Sequence, residues 1–184
     1  MDGFNPGKEC FECQGRCCKE KGCSLSPQDM LRELQMNLSA SPSMEELVAL
    51  RPLLITLLNQ ENGLYAIDYF SSAEGPCFYL RMRHKCYTFI GIDAIGECIA
   101  LTDTGCTLTQ DLRPKGGRFL ESKPNGACFQ HYTREQMYTD WMPYREVLNS
   151  IWEEYHAKFE KDGTFKRCDD AYFAWLRSRS PHTR

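Results

Sequence analysis

The chain has 184 residues, 42% of them apolar and 26% charged, which suits one globular domain with a real core and is short for two. A net charge of −3 argues against a general nucleic-acid footprint, and no apolar run is long enough to predict a membrane span. The opening Met-Asp-Gly-Phe-Asn-Pro-Gly-Lys lacks the basic and apolar regions of a secretory signal, so a cytoplasmic, reducing home is expected.

The first element is a cysteine-rich loop over residues 1–25. Five of the eleven cysteines fall there: Cys10, Cys13, Cys17, Cys18 and Cys23. Helices are expected over 26–62. Ser26 reads as an N-cap with Pro27 at the first helical position and Asp29 as an acid in the first turn, and Met30, Leu31, Leu34 and Leu38 carry the apolar stripe to about Leu38. At a second helix start Ser43 and Glu46 form a capping box, Pro52 is expected to kink or split that helix, and Asn62-Gly63 to end it. Residues 63–131 read as a β-meander and loop. The strands are 64–70, 77–83, 86–92 and 97–102, with a loop over 71–76 and a loop-like segment over 106–131. Residues 132–180 read as C-terminal helices. Thr133 and Gln136 cap a long one that Pro143 kinks, with Val147, Leu148, Ile151, Trp152, Tyr155 and Phe159 as its core stripe. A last helix begins near Asp169-Asp170, followed by a basic tail. The fold class expected is α+β: a small antiparallel meander packed with several helices and a metal-stapled N-terminal loop.

The chemistry starts from Cys10, Cys13, Cys17 and Cys18, spaced C-x2-C-x3-C-C. Two thiolates with two residues between them curl round one ion when a tight turn aims both sulfurs at one point, and Gly15 eases that turn. Adjacent Cys17 and Cys18 diverge, so they suit two neighbouring ions, or one ligates while the other packs. Redox disulfides and unligated thiols are the alternatives; the odd cysteine count excludes pairwise disulfides for all of them. Cys98 and Cys106 flank a strand and turn that can bring both thiols to one side, as the arms of a zinc ribbon do. Cys128 and His131 repeat ligand spacing, although a histidine there also suits a surface or capping role. Cys23, Cys77, Cys86 and Cys168 receive no assignment.

These motifs resemble the YkgJ-like cysteine-cluster family, a zinc- or iron-chelating domain. Its pattern joins an N-terminal C-x2-C-x(2–3)-C-C to a helix-opening Leu-Ser/Thr-Pro-x-Asp, here Leu25-Ser26-Pro27-Gln28-Asp29, then a spaced cysteine pair and an Arg-Pro, here Arg113-Pro114. Many relatives place a cysteine three residues after that proline; this chain has Lys115-Gly116-Gly117, so either Cys128 takes the place or the site has one thiolate fewer. The resemblance implies metal chelation and no defined reaction.

Reduced thiolates select zinc, ferrous iron or an iron–sulfur cluster over magnesium or calcium. Zinc is favoured here because the spacing matches neither ferredoxin pattern. The expected ligands are Cys10, Cys13, Cys17, Cys18, Cys98, Cys106 and Cys128, with the metal ion as partner and neither nucleic acid nor membrane. Arg16, Lys19 and Lys21 lie among them, as solvated loop charges or as offsets to thiolate charge. The alternative is a metalloenzyme or iron–sulfur redox protein with an open coordination position, for which Glu12, Asp103 and His131 are the available acid–base groups. Thiol redox sensing through Cys13 or Cys17 is a third reading.

Overall fold

The computed structural model describes residues 18–19, 22–59, 65–83, 97–102, 105–121 and 128–167, together with 170 and 174. It is a mixed structure of helices and small antiparallel sheets.

Strand β1 is Cys23–Ser24, and helix α1 follows at Pro27–Glu33. The Ser26 hydroxyl accepts the Asp29 amide at 3.2 Å while the Asp29 carboxylate accepts the Ser26 amide at 2.9 Å, a reciprocal cap that fixes the helix start. The helix stops a turn before Leu38. Gln35 takes φ of 54°, its amide donates to the Arg32 carbonyl, and the Met36 amide donates to the Leu31 carbonyl. This is a Schellman ending with a glutamine in the left-handed slot. The apolar stripe misleads because Met36 and Leu38 still pack on the core from non-helical backbone.

Helix α2, Met44–Leu58, starts at the Ser43–Glu46 capping box and buries Leu47, Leu50, Leu54, Leu57 and Leu58. Pro52 does not divide it, and the helix ends at Asn59. The proline removes one ladder bond, and burial of the leucine face holds the remaining turns together.

Strands β2 (Tyr65–Ser72) and β3 (Gly75–Met82) form one hairpin, in register from Tyr65↔Met82 to Ser72↔Gly75. The loop expected over 71–76 is a two-residue turn. The Ser72 hydroxyl donates to the Gly75 carbonyl at 2.7 Å, and Gly75 supplies φ of 108°. β1 pairs with the free edge of β3, so the order is β1-β3-β2 and not a meander of successive strands. The Leu25 amide extends that edge by donating to the Leu80 carbonyl at 2.9 Å.

The expected strand over 86–92 lies outside the described residues. Over 97–102 only β4, Leu101–Thr102, is strand, because the Leu101 amide turns back onto the Cys98 carbonyl at 3.0 Å. β4 pairs with β5, Gly105–Cys106. The segment expected as loop over 106–131 contains a 3-10 turn at Gln110–Leu112, a short helix α3 at Lys115–Arg118, and paired strands β6 (Leu120–Glu121) and β7 (Phe129–Gln130). Helix α4 is Arg134–Trp141, capped by Thr133 and Gln136. Pro143 lies in a 3-10 turn, Met142–Tyr144, before α5, Arg145–Lys161. Most of the helix expected from Asp169 lies outside the described residues.

Alternation along the β2–β3 hairpin divides the packing between two faces. On one, Tyr69 and Phe78 meet Trp152 of α5 at ring distances of 5.2 and 5.4 Å. On the other, Phe70 lies against Tyr79 and under the Arg134 guanidinium of α4. Val147, Leu148 and Ile151 are buried as expected, with Trp152, Tyr155 and Phe159 packed beside them. Trp141 is buried with its indole N–H donating to the Leu25 carbonyl at 3.0 Å, which ties α4 to the chain just before α1. No helix among the described residues is long and apolar enough to cross a membrane.

Candidate metal centre

Six cysteines are described: Cys18, Cys23, Cys77, Cys98, Cys106 and Cys128, and no disulfide joins any two of them. Of the expected ligands, Cys10, Cys13 and Cys17 lie outside the described residues, as do Glu12 and Asp103.

The first junction of the site is made by backbone. The Cys98 amide donates to the Cys18 carbonyl at 2.6 Å, which brings the end of the N-terminal cluster to the start of the Cys98–Cys106 segment. That segment is braced: Cys106 pairs with Leu101, and the Thr107 amide donates to the Ala100 carbonyl at 2.8 Å. Cys98 is buried and Cys106 exposed, so the hairpin spans from interior to surface.

Cys23 sits in β1, buried, five residues after Cys18. Burial pushes its thiol far above the ordinary range, and the neighbouring charges of Cys18, Asp29 and Cys106 push the same way. The Gly117 backbone beside the sulfur opposes this weakly, its N–H donating to the Pro114 carbonyl at 2.8 Å. The sequence left Cys23 unassigned. Its available signal was its position within the cysteine-rich stretch, and a two-residue strand is too short to reveal which way its side chain points.

Glycines let α3 approach β1. A methyl group at position 116 would stand 2.8 Å from the Ser24 carbonyl oxygen, and one at 117 would stand 3.1 Å from the Cys23 sulfur. Gly117 thus lies against the sulfur of Cys23.

Asp29 holds the two pieces together. Besides capping α1, its carboxylate accepts the Lys115 amide at 2.7 Å, and the Arg118 guanidinium lies 3.1 Å from its other oxygen. The Leu-Ser-Pro-x-Asp and Arg-Pro motifs, 86 residues apart between Asp29 and Lys115, therefore meet through one buried carboxylate. The Gln130 side chain donates to the Gly116 carbonyl at 2.8 Å and the Gln110 side chain to the Arg118 carbonyl at 3.0 Å. Arg113 bonds the Leu108 carbonyl and the Gln110 side chain. This web fixes the Gly117 amide beside the cysteine strand.

Beside it lies an ion pair buried in the sheet, Asp68 with Arg81 at 3.0 Å, with Arg81 also bonded to the Tyr79 hydroxyl. Burial first, and then the balance of Arg81 against Asp68, leaves Tyr79 pushed up to about 12. Arg81 and Arg83 both approach Gly22, whose φ of 65° carries the chain into β1.

His131 belongs elsewhere. Its ring nitrogen pairs with Glu121 at 2.8 Å and the ring packs edge-on against Phe129, so it braces the β6–β7 pair at the surface. Cys128 immediately precedes β7 and is half-buried. Cys77 is buried in β3, its sulfur 4.0 Å from the Phe78 carbonyl oxygen. Among the described residues, no three Cys, His, Asp or Glu side chains form a group that could hold an ion by themselves. No protein-family model, curated protein or solved structure matches the chain.

Proposed function

We propose that this is a metal-chelating protein of the YkgJ-like cysteine-cluster kind. It holds zinc, or alternatively iron or an iron–sulfur cluster, with thiolates from the N-terminal loop and from the Cys98–Cys106 hairpin. The observation that carries the reading is the bond from the Cys98 amide to the Cys18 carbonyl, because it joins the two segments that the sequence assigns as ligand donors. The donor set fits a soft cation: reduced sulfurs, with none of the six described cysteines in a disulfide. The first shell is completed on this reading by Cys10, Cys13 and Cys17, with Cys128 as a further donor.

Such an ion would staple the N-terminal loop to the hairpin, so that chelation and folding are one process. The test is metal analysis with a visible spectrum on protein purified without oxygen. Stoichiometric zinc in colourless protein supports the first form, and brown protein containing iron and sulfide supports the second. Cys13→Ser, Cys17→Ser and Cys106→Ser should each lose metal and stability together, while Cys168→Ser keeps both. Wild-type metal content in all three of the first group would overturn the assignment.

A further inference from the structure

We propose that Cys18 and Cys98 are a reversible disulfide site, closed by a peroxide, that locks the N-terminal cysteine segment to the Cys98–Cys106 hairpin. The bond goes beyond the ion proposed above and does not depend on it. Backbone geometry carries the assignment. The Cys98 amide donates to the Cys18 carbonyl at 2.6 Å. A Cα lies about 1.5 Å from its own amide nitrogen and about 2.4 Å from its own carbonyl oxygen. The two Cα atoms are therefore at most about 6.5 Å apart, and disulfides span roughly 4.4–6.8 Å. Both residues also belong to one core: Cys98 is buried in it and Cys18 packs against it. Other described cysteines are placed differently. Cys23 faces Met82 in the sheet, five residues along β3 from Cys77, which puts about 16 Å between those two. Cys106 is exposed and pairs with Leu101, while Cys98 is buried.

Burial assigns the two roles. Cys18 is half-buried and meets the oxidant first, while buried Cys98 resolves the product. The Cys18 thiolate attacks one peroxide oxygen, the O–O bond breaks, and the departing hydroxide takes up a proton as water. The Cys98 thiolate then attacks the sulfenic sulfur of Cys18. The S–S bond forms as the S–O bond breaks, and a second water leaves. Two electrons pass from the two sulfurs to the peroxide, and a dithiol returns them on reduction. Cys98 is held for this step by its own turn, where the Leu101 amide donates to its carbonyl at 3.0 Å and the Thr107 amide to the Ala100 carbonyl at 2.8 Å. The bond would make covalent a junction that the reduced chain holds by hydrogen bonding and packing, and would stabilise it by closing a long loop of the unfolded chain.

The experiment treats the full chain, purified with reductant and desalted without oxygen, with hydrogen peroxide. A chelator is present so that no bound ion shields the sulfurs. Remaining thiols are alkylated, and the digest is mapped by mass spectrometry. A linked peptide joining Cys18 to Cys98, lighter by two hydrogens than its parts and released by dithiothreitol, is the result expected. Cys98→Ser should abolish it and leave Cys18 as a sulfenic acid that dimedone captures. Recovery of Cys98 in alkylated form from the oxidised wild type would overturn the proposal, as would its linkage to any cysteine other than Cys18. Survival of the Cys98 cross-link in Cys18→Ser would overturn it too, by assigning the partner to Cys17. Should that variant fail to fold, fragmentation of the wild-type linked peptide between residues 17 and 18 decides the same point.

Discussion

Among the described residues near the cysteines, Asp29 joins three pieces of structure. It caps α1, receives the Lys115 amide and faces Arg118 from a fully buried position. Replacing it with alanine leaves a helix start, a backbone N–H and a guanidinium without their acceptor. Asp29→Ala should therefore cost about 3 kcal/mol, read as a lower denaturant midpoint. Asn in its place should recover part of that, by retaining acceptor geometry without the charge. The neighbouring glycines give a second, graded pair. A methyl at 116 meets backbone at 2.8 Å and one at 117 meets a movable sulfur at 3.1 Å. Gly116→Ala should lose about 1–3 kcal/mol by overpacking, and Gly117→Ala less, measured in the same denaturation series. The sequence shows Asp29 as an acid in a first turn and as the end of the Leu-Ser-Pro-x-Asp motif. Its partner at Lys115 is a backbone group 86 residues away, which no local pattern reveals.

Helices were legible at this scale and short strands were not. The capping boxes expected at Ser43 and Thr133 form, and the N-cap expected at Ser26 closes into a third with Asp29, because each is a local exchange of hydrogen bonds. Ser43→Ala should cost α2 about 1 kcal/mol, read from the thermal midpoint of the whole protein. Pro52 offers the opposite sign. It sits in the interior of α2, exposed, so Pro52→Ala restores a ladder bond and should raise the melting temperature. The two-residue strands β1, β4, β5, β6 and β7 have no period to read, and α3 carries two adjacent glycines that would argue against any helix. These are the elements that place Cys23, Cys98 and Cys106. The sequence therefore shows where the cysteines lie along the chain and misses most of the scaffold that positions them.

Across the whole molecule, burial sets the response to alkali. Burial pushes the Cys77 thiol up to about 11, Tyr79 up to about 12, and Tyr65 and Tyr132 further in the same direction. The folded state thus holds protons that the unfolded chain releases from about pH 9 for cysteine and pH 10 for tyrosine. Stability from these groups is complete below pH 9 and falls as pH rises toward 12. Denaturation midpoints across pH 8–12 should decline over that interval, and a flat profile would contradict the burial of these side chains. The bond between Cys18 and Cys98 has a further consequence, for synthesis. As the ribosome releases the nascent chain, its leading thiols emerge long before residue 98 exists, so the junction must wait for later translation. During that interval the early sulfurs stand open to oxidants and to scavenged ions, and a folding helper that shields them would act on the growing polypeptide, not on the finished one.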